Sequence, residues 1–271
     1  MMRQLPVFVL LVLLVSACAD DPPAVRLQGD PILADMQYYP TLAGSAWQYR
    51  IDTTGSGGTA KGVGQVQSVI NGTFEVDSLT YSVQLNRVIL NGAAEVDTVY
   101  VRKASDGVRM SSPGLQQIGQ LGSILGLPIG DLPTEFLAVP YAGGFQASWE
   151  IINIEYNQIP FFQIYYRVKG TYRGIEDVVT DQRTYRDCAH VVISIEAQLP
   201  NLEDPTNILN PLRINESADF WFTRPHGLVV ADGSDAIFTL LRGGLPLSDS
   251  FNRTRQEVID MDIVQPDPMC Y

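Results

Sequence analysis

Histidine is almost missing from this chain. There are two, His190 and His226, beside three cysteines. No Cys-x-x-Cys pair and no Cys/His spacing of a zinc site occurs, so no structural metal is expected. Neither H-E-x-x-H, nor G-x-S-x-G, nor a glycine-rich phosphate loop is present. These gaps remove the common hydrolase and nucleotide-binding classes, and no cofactor is expected. Basic residues are also scarce: 18 Lys and Arg stand against 30 Asp and Glu, a net charge of −12. That balance argues against nucleic acid as a partner and against electrostatic docking on anionic lipid; its plain reading is solubility. Long apolar runs are lacking as well. Leu5 to Val15 is the longest near the start, and it is too short to span a bilayer comfortably.

What that run does have is context. Arg3 supplies a positive start, and small residues lead into a cysteine, the order of a removable secretion signal. The ending Val15-Ser16-Ala17-Cys18 resembles the lipobox of bacterial lipoproteins. The resemblance implies that residues 1–17 are removed, that the Cys18 sulfur carries a diacylglycerol, and that the new amine is acylated. Residues 18–37, acidic and proline-bearing, read as the lipidated cysteine and a flexible tether. More than one acyl chain, at about 0.8 kcal/mol per buried methylene, makes such an anchor stable. In the familiar lipoprotein sorting rule an aspartate after the cysteine retains the protein in the inner membrane. Ala19 stands there, so the expected location is the cell envelope, with the outer membrane favoured over the inner.

Residues 38–271 then read as a single β domain, large enough to fold without metal or disulfide. Trp47, Tyr49 and Ile51 alternate with Gln48 and Arg50, the period of a half-buried strand. Val66, Ser68 and Ile70 precede Asn71-Gly72; a second Asn-Gly falls at 91–92, and Asp106-Gly107 follows. Such dipeptides between alternating runs signal hairpins, because both turn positions need φ > 0. Later strands are expected over Phe145–Ile151, Phe162–Val168, Ala189–Leu199, Phe220–Phe222, Gly227–Val230, Ile237–Leu241 and Val258–Val264. The fold class is all-β: a large curved antiparallel sheet or half-open β-barrel.

Residues 111–146 break the pattern with four prolines and seven glycines around Ile118, Leu121, Ile124, Leu125, Leu127 and Ile129. An irregular Gly/Pro-rich apolar insertion of this length is unusual in a compact domain. It reads either as a cover whose Ile118, Leu121, Leu125 and Ile129 touch an apolar ligand or a partner, or as ordinary core packed on the sheet.

Three stretches carry a resemblance. They are Tyr38-Tyr39-Pro40 with Gly44-Ser45-Ala46-Trp47-Gln48-Tyr49, then Tyr185-Arg186-Asp187-Cys188, then Phe220-Trp221-Phe222-Thr223-Arg224-Pro225-His226-Gly227-Leu228-Val229. Together they resemble exported bacterial lipoproteins of the DUF3108-like, TapB-like group. Arg224 and His226 depart from the small residues of that group's turn. The resemblance implies a curved β-sheet fold and brings no catalytic residues.

In an oxidising compartment Cys188 and Cys270 can pair; a bridge would close a loop of about 80 residues and contribute about 4–5 kcal/mol in the chain-entropy model. The alternative is a buried strand cysteine and a free thiol at the tail. His190 shares a strand face with Cys188, but a positioned base, an orienting group and an oxyanion site are all needed for a nucleophile. Glu75, Asp77, Glu95 and Asp97 form either the wet face of a sheet or a weak calcium site. The expectation is a non-enzymatic lipoprotein, tied to the membrane through its lipid, that binds an apolar ligand or an envelope protein. The alternative is a structural envelope protein that associates with other proteins and has no ligand pocket.

Overall fold

The first regular element sets the pattern for the rest. The computed structural model describes residues 38–55, 58–111, 134–141, 144–156, 163–200, 210–242, 244, 246, 248 and 250–265. In β1 (Ala46–Thr54) Trp47, Tyr49, Ile51 and Thr53 point inward, and their neighbours are half exposed. A period of two buries one face of a strand and wets the other. The same alternation shapes the central part of β2 (Ala60–Val76) and, less regularly, β3 (Leu79–Leu90), whereas β4 (Ala93–Ala104) and β5 (Gly107–Ser111) follow without it. It continues in β8 (Ile164–Val179) and most clearly in β9 (Thr184–Leu199), where Ala189, Val191, Ile193, Ile195, Ala197 and Leu199 all lie inside. The remaining strands are β6 (Phe136–Pro140), β7 (Ser148–Tyr156), β10 (Leu212–Thr223), β11 (Gly227–Ser234) and β12 (Arg253–Asp262).

All twelve belong to one antiparallel sheet in the order β6-β5-β4-β3-β2-β1-β12-β11-β10-β9-β8-β7. Two six-stranded meanders are joined where β1 pairs with β12. The sheet curls into a nearly closed barrel around one apolar core. At the seam, β6 and β7 share no backbone ladder. There the Trp149 indole of β7 crosses over and donates Nε1–H to the Leu137 carbonyl of β6 at 2.8 Å. Gly170, the cross-strand partner of Trp149 on β8, makes room for the ring: a Cβ there would lie 2.2 Å from the indole Cε2. The root of β6 is clamped by charge. Glu135 pairs with Arg102, lies 3.3 Å from Arg109, and accepts from the Tyr81 hydroxyl at 2.9 Å.

Three expectations need correction. Asn71-Gly72 does not turn the chain. It lies inside β2 as a bulge, where the register against β3 slips between Ile70 and Gly72. The turn falls at Asp77-Ser78, both left-handed at φ 49° and 64°, between the paired Val76 and Leu79. A bulge and a two-residue turn both recruit glycine, so the dipeptide alone cannot tell them apart. Asn91-Gly92 is the turn its sequence announces, while Ser105-Asp106 turns ahead of Gly107. Second, Ile237–Leu241 is not a strand. It belongs to α1 (Asp235–Leu241), whose N-cap Ser234 accepts from the Ala236 amide at 3.3 Å and whose Ala236, Ile237, Phe238 and Leu240 are buried. A short apolar run fits either period when every side is covered, and the Ser-Asp cap decides it. Third, the irregular stretch 111–146 contains β6, an edge strand too short and too buried to show alternation. Residues 112–133 within it lie outside the described residues.

Candidate functional site

Inside the barrel the core does not fill the space. A cavity of about 140 Å³ lies between the two meanders, beneath α1. Its wall is largely apolar. Ile51, Val66, Val88 and Val99 come from the first meander, Met110, Phe136 and Ala138 from β5 and β6, and Val191, Ile193, Phe220, Phe222 and Leu228 from the second; α1 adds Phe238 and Leu241. Each sits there because an inward position of a strand or the buried face of α1 places it there.

One side of the cavity is polar, and its hydrogen bonds run in one direction. The Tyr39 hydroxyl donates to Gln84 Oε1 at 2.6 Å. Gln84 Nε2 donates to Asn86 Oδ1 at 2.8 Å, as does Ser68 Oγ at 2.7 Å. Asn86 Nδ2 then donates to Asp97 Oδ1 at 2.7 Å. Gln84 and Asn86 are inward neighbours on β3, and Asn86 is the register partner of both Ser68 and Asp97, so the strand pairing itself assembles the chain. Burial pushes the Asp97 carboxyl above its ordinary range, against the pull of Asn86 and the Arg242 charge. Burial likewise raises Tyr39 and Tyr49 far above the usual phenol value. Arg242, which caps α1 and also lines the cavity, is held by Asp235 Oδ1 and the Phe238 carbonyl, each at 3.2 Å.

One end of the barrel is closed by the three stretches that carry the sequence resemblance. The Trp47 indole donates to the His226 carbonyl at 2.6 Å, and the Tyr49 hydroxyl donates to the Leu228 carbonyl at 3.0 Å. The Tyr39 ring lies 5.9 Å from Trp47 and 6.4 Å from Phe222. Gly227 adopts φ 82°, and a Cβ there would press on Pro40 at 3.1 Å. Thr223 Oγ1 donates to the Arg186 carbonyl at 3.1 Å, so the second stretch joins the same plug. These motifs therefore build a lid of packed aromatics at this end of the fold.

No protein-family model matches the chain, and no curated protein matches it. The group that the three motifs resemble is therefore not shown. Two solved structures are similar in fold. One is described as a "putative lipoprotein" from Parabacteroides distasonis, with a TM-score of 0.47 and 13% identity over 84% of this chain and 99% of that one. The other is a "putative exported protein with YmcC-like fold" from Bacteroides fragilis, with a TM-score of 0.41 and 10% identity over the same shares. Both scores lie below 0.5, so the functional reading rests on this chain's own residues.

The expected site residues fare unevenly. Cys18, Cys270, Ile118, Leu121, Leu125 and Ile129 lie outside the described residues. Cys188 is fully buried, its thiol directed at the Tyr185 carbonyl at 3.6 Å, and burial pushes its pKa up to about 12. His190 does share its strand face but faces carboxylates: Glu176 Oε1 lies 2.9 Å from Nδ1 and Asp219 Oδ1 2.7 Å from Nε2, with the Trp221 ring stacked at 4.6 Å. The four acidic residues do not converge. Glu75 pairs with Thr80 and Glu95 with Val88, eight residues and so about 26 Å apart along β3. Among the described residues no group of three or more His, Cys, Asp or Glu side chains is placed to hold a metal. The polar chain from Tyr39 to Asp97 was missed. Its signal is the polar pair Gln84 and Asn86 on one parity of β3, a pattern that an ordinary outer face shows equally well.

Proposed function

We propose that the chain is a lipid-anchored envelope protein, not an enzyme, that holds a small and mostly apolar molecule inside its barrel. The observation that carries this reading is the 140 Å³ cavity walled by aliphatic and aromatic side chains with one polar side. An apolar cavity of about 150 Å³ is enough to take up benzene, whereas drug-sized ligands occupy about 300–1,000 Å³. A single ring or a short branched chain fits this space; the acyl chain of a lipid does not. The ending at Cys18 supports the anchor, and Ala19 supports the outer membrane as its location.

Two measurements test the reading. The Cys18→Ala chain should leave the membrane fraction, and an unchanged partition would remove the anchor. The same chain, purified without detergent and extracted with organic solvent, should yield a small molecule in stoichiometric amount by mass spectrometry or take up an added one by calorimetry. A clean extract with no uptake would remove the ligand.

A second reading has an observation of its own. The outer face of β2–β4 leaves Val63, Phe74, Val76 and Val96 exposed, Val96 by 68%. If the chain works by protein association instead, self-association in sedimentation experiments should vanish in Val96→Lys while the cavity stays empty.

A further inference from the structure

The donor order in the cavity points to what its ligand carries. Tyr39, Ser68, Gln84 and Asn86 all pass their hydrogens toward Asp97, so the chain ends in a group that can only accept. An ionised carboxylate offers about four acceptor sites. Asp97 uses one on Asn86 Nδ2, and among the described residues no cation lies within ion-pair distance of it. The other charge on the cavity, Arg242, is already answered by Asp235 and the end of its own helix. What is left over is a single negative acceptor beside a largely apolar wall. Asp97 is half-buried and the Arg242 charge answers it only without contact, so a cation seated in the cavity would supply the close partner it lacks. Phe136, Phe220, Phe222 and Phe238 supply ring surfaces that suit both an apolar body and a positive head. The protein's net charge of −12 draws cations toward it.

We infer that the cavity binds a small primary amine: one ring or a short branched chain bearing a protonated nitrogen that donates to Asp97. This rests on the barrel interior being a binding site, and the test separates the two claims. The full-length Cys18→Ala chain is titrated by calorimetry with four probes of one size: benzylamine, benzyl alcohol, toluene and benzoate.

Benzylamine should bind at least tenfold more tightly than benzyl alcohol or toluene, and benzoate should not bind. Asp97→Asn should weaken benzylamine at least tenfold and leave toluene unchanged; Arg242→Gln should not weaken benzylamine. If Asp97→Asn fails to fold, the order of the four probes on the unsubstituted cavity still decides. Toluene binding as tightly as benzylamine, or benzoate binding best, overturns the amine while keeping an internal ligand site. Failure of all four probes at millimolar concentration, with a clean extract, overturns the site itself.

Discussion

Replacing Gly170 by alanine puts the closure of the barrel to a quantitative test. The added methyl would lie 2.2 Å from the Trp149 Cε2, 2.3 Å from Cζ2 and 2.5 Å from Nε1, so the indole has to swing away. Doing so breaks its 2.8 Å bond to the Leu137 carbonyl, the contact that ties β7 to β6. Overpacking costs about 1–3 kcal/mol, and the lost hydrogen bond costs about 1 kcal/mol. Alanine's smaller unfolded-state entropy offsets about 0.5–1 kcal/mol of this. The net destabilisation should be about 2–3 kcal/mol. In a Trp149→Ala chain the obstacle is gone, so the same Gly170→Ala change should be neutral or stabilise by up to about 1 kcal/mol. The two sites should therefore couple by about 3 kcal/mol in a double-mutant cycle. Urea unfolding of the four chains, followed by far-ultraviolet circular dichroism, gives each term. Equal cost of Gly170→Ala in both backgrounds would refute the account of the seam.

The remaining predictions concern charge, turns and the buried thiol. Burial lifts the Glu135 carboxyl, but Arg102, Tyr81 and Arg109 together outweigh it and hold the group below its ordinary range. Its contribution to stability is thus complete above about pH 4.5 and is lost as pH falls through the folded value; Glu135→Gln should cost about 2–3 kcal/mol at pH 7 and flatten the acid limb of a melting-temperature profile. Burial lowers the His190 imidazole, yet Asp219 and Glu176 reverse this and leave it above 6.5. The hydrogen bond from His190 holds Glu176 below 4.5. His190 stabilises fully below about pH 6.5 and less as pH rises through its folded pKa, while Glu176 stabilises above about pH 4.5 and less as pH falls through its own. The stability lost in His190→Gln should therefore peak between about pH 4.5 and 6.5, and a loss that is flat from pH 4 to 8 would contradict the pairing. Ser78→Gly should stabilise the β2–β3 turn by about 1 kcal/mol, since φ 64° strains a residue with a side chain; unchanged urea midpoints would refute it. Cys188, with its pKa raised to about 12, should resist iodoacetamide at pH 8 in the native chain and react on unfolding, as peptide mass analysis would show.

Strands whose two faces meet different surroundings were legible in the sequence. Trp47, Tyr49 and Ile51, and the long inward row from Ala189 to Leu199, alternate because one side meets the core and the other meets water. Legibility fails where that contrast fails. Phe136–Pro140 is covered on nearly every side, so no alternation marks β6. Ile237–Leu241 is apolar in either period, and only its cap separates helix from strand. The site was hidden for the opposite reason. Gln84, Asn86 and Asp97 are polar, and polar residues at period two are the ordinary signature of an outer face. Only the register, which sets Asn86 against both Ser68 and Asp97, turns them inward as a connected chain. The bulge at Gly72 follows the same logic, since register is a property of two strands and not of one.

The place where β1 meets β12 has a consequence for how the protein is made. Every other ladder in the sheet joins strands that follow one another in the chain, whereas this one pairs Ala46 with Asp262. Each meander can begin to form from local hairpins as its residues become available, which is the fast part of folding. The wall between them cannot be laid until the final strand exists. An unfinished chain therefore carries two exposed mid-sheet edges, those of β1 and β11, each ready to pair with a stranger. A chain cut short before Arg253 would keep most of its hairpins and lose its barrel, which makes the last ladder a built-in check that only complete molecules pass.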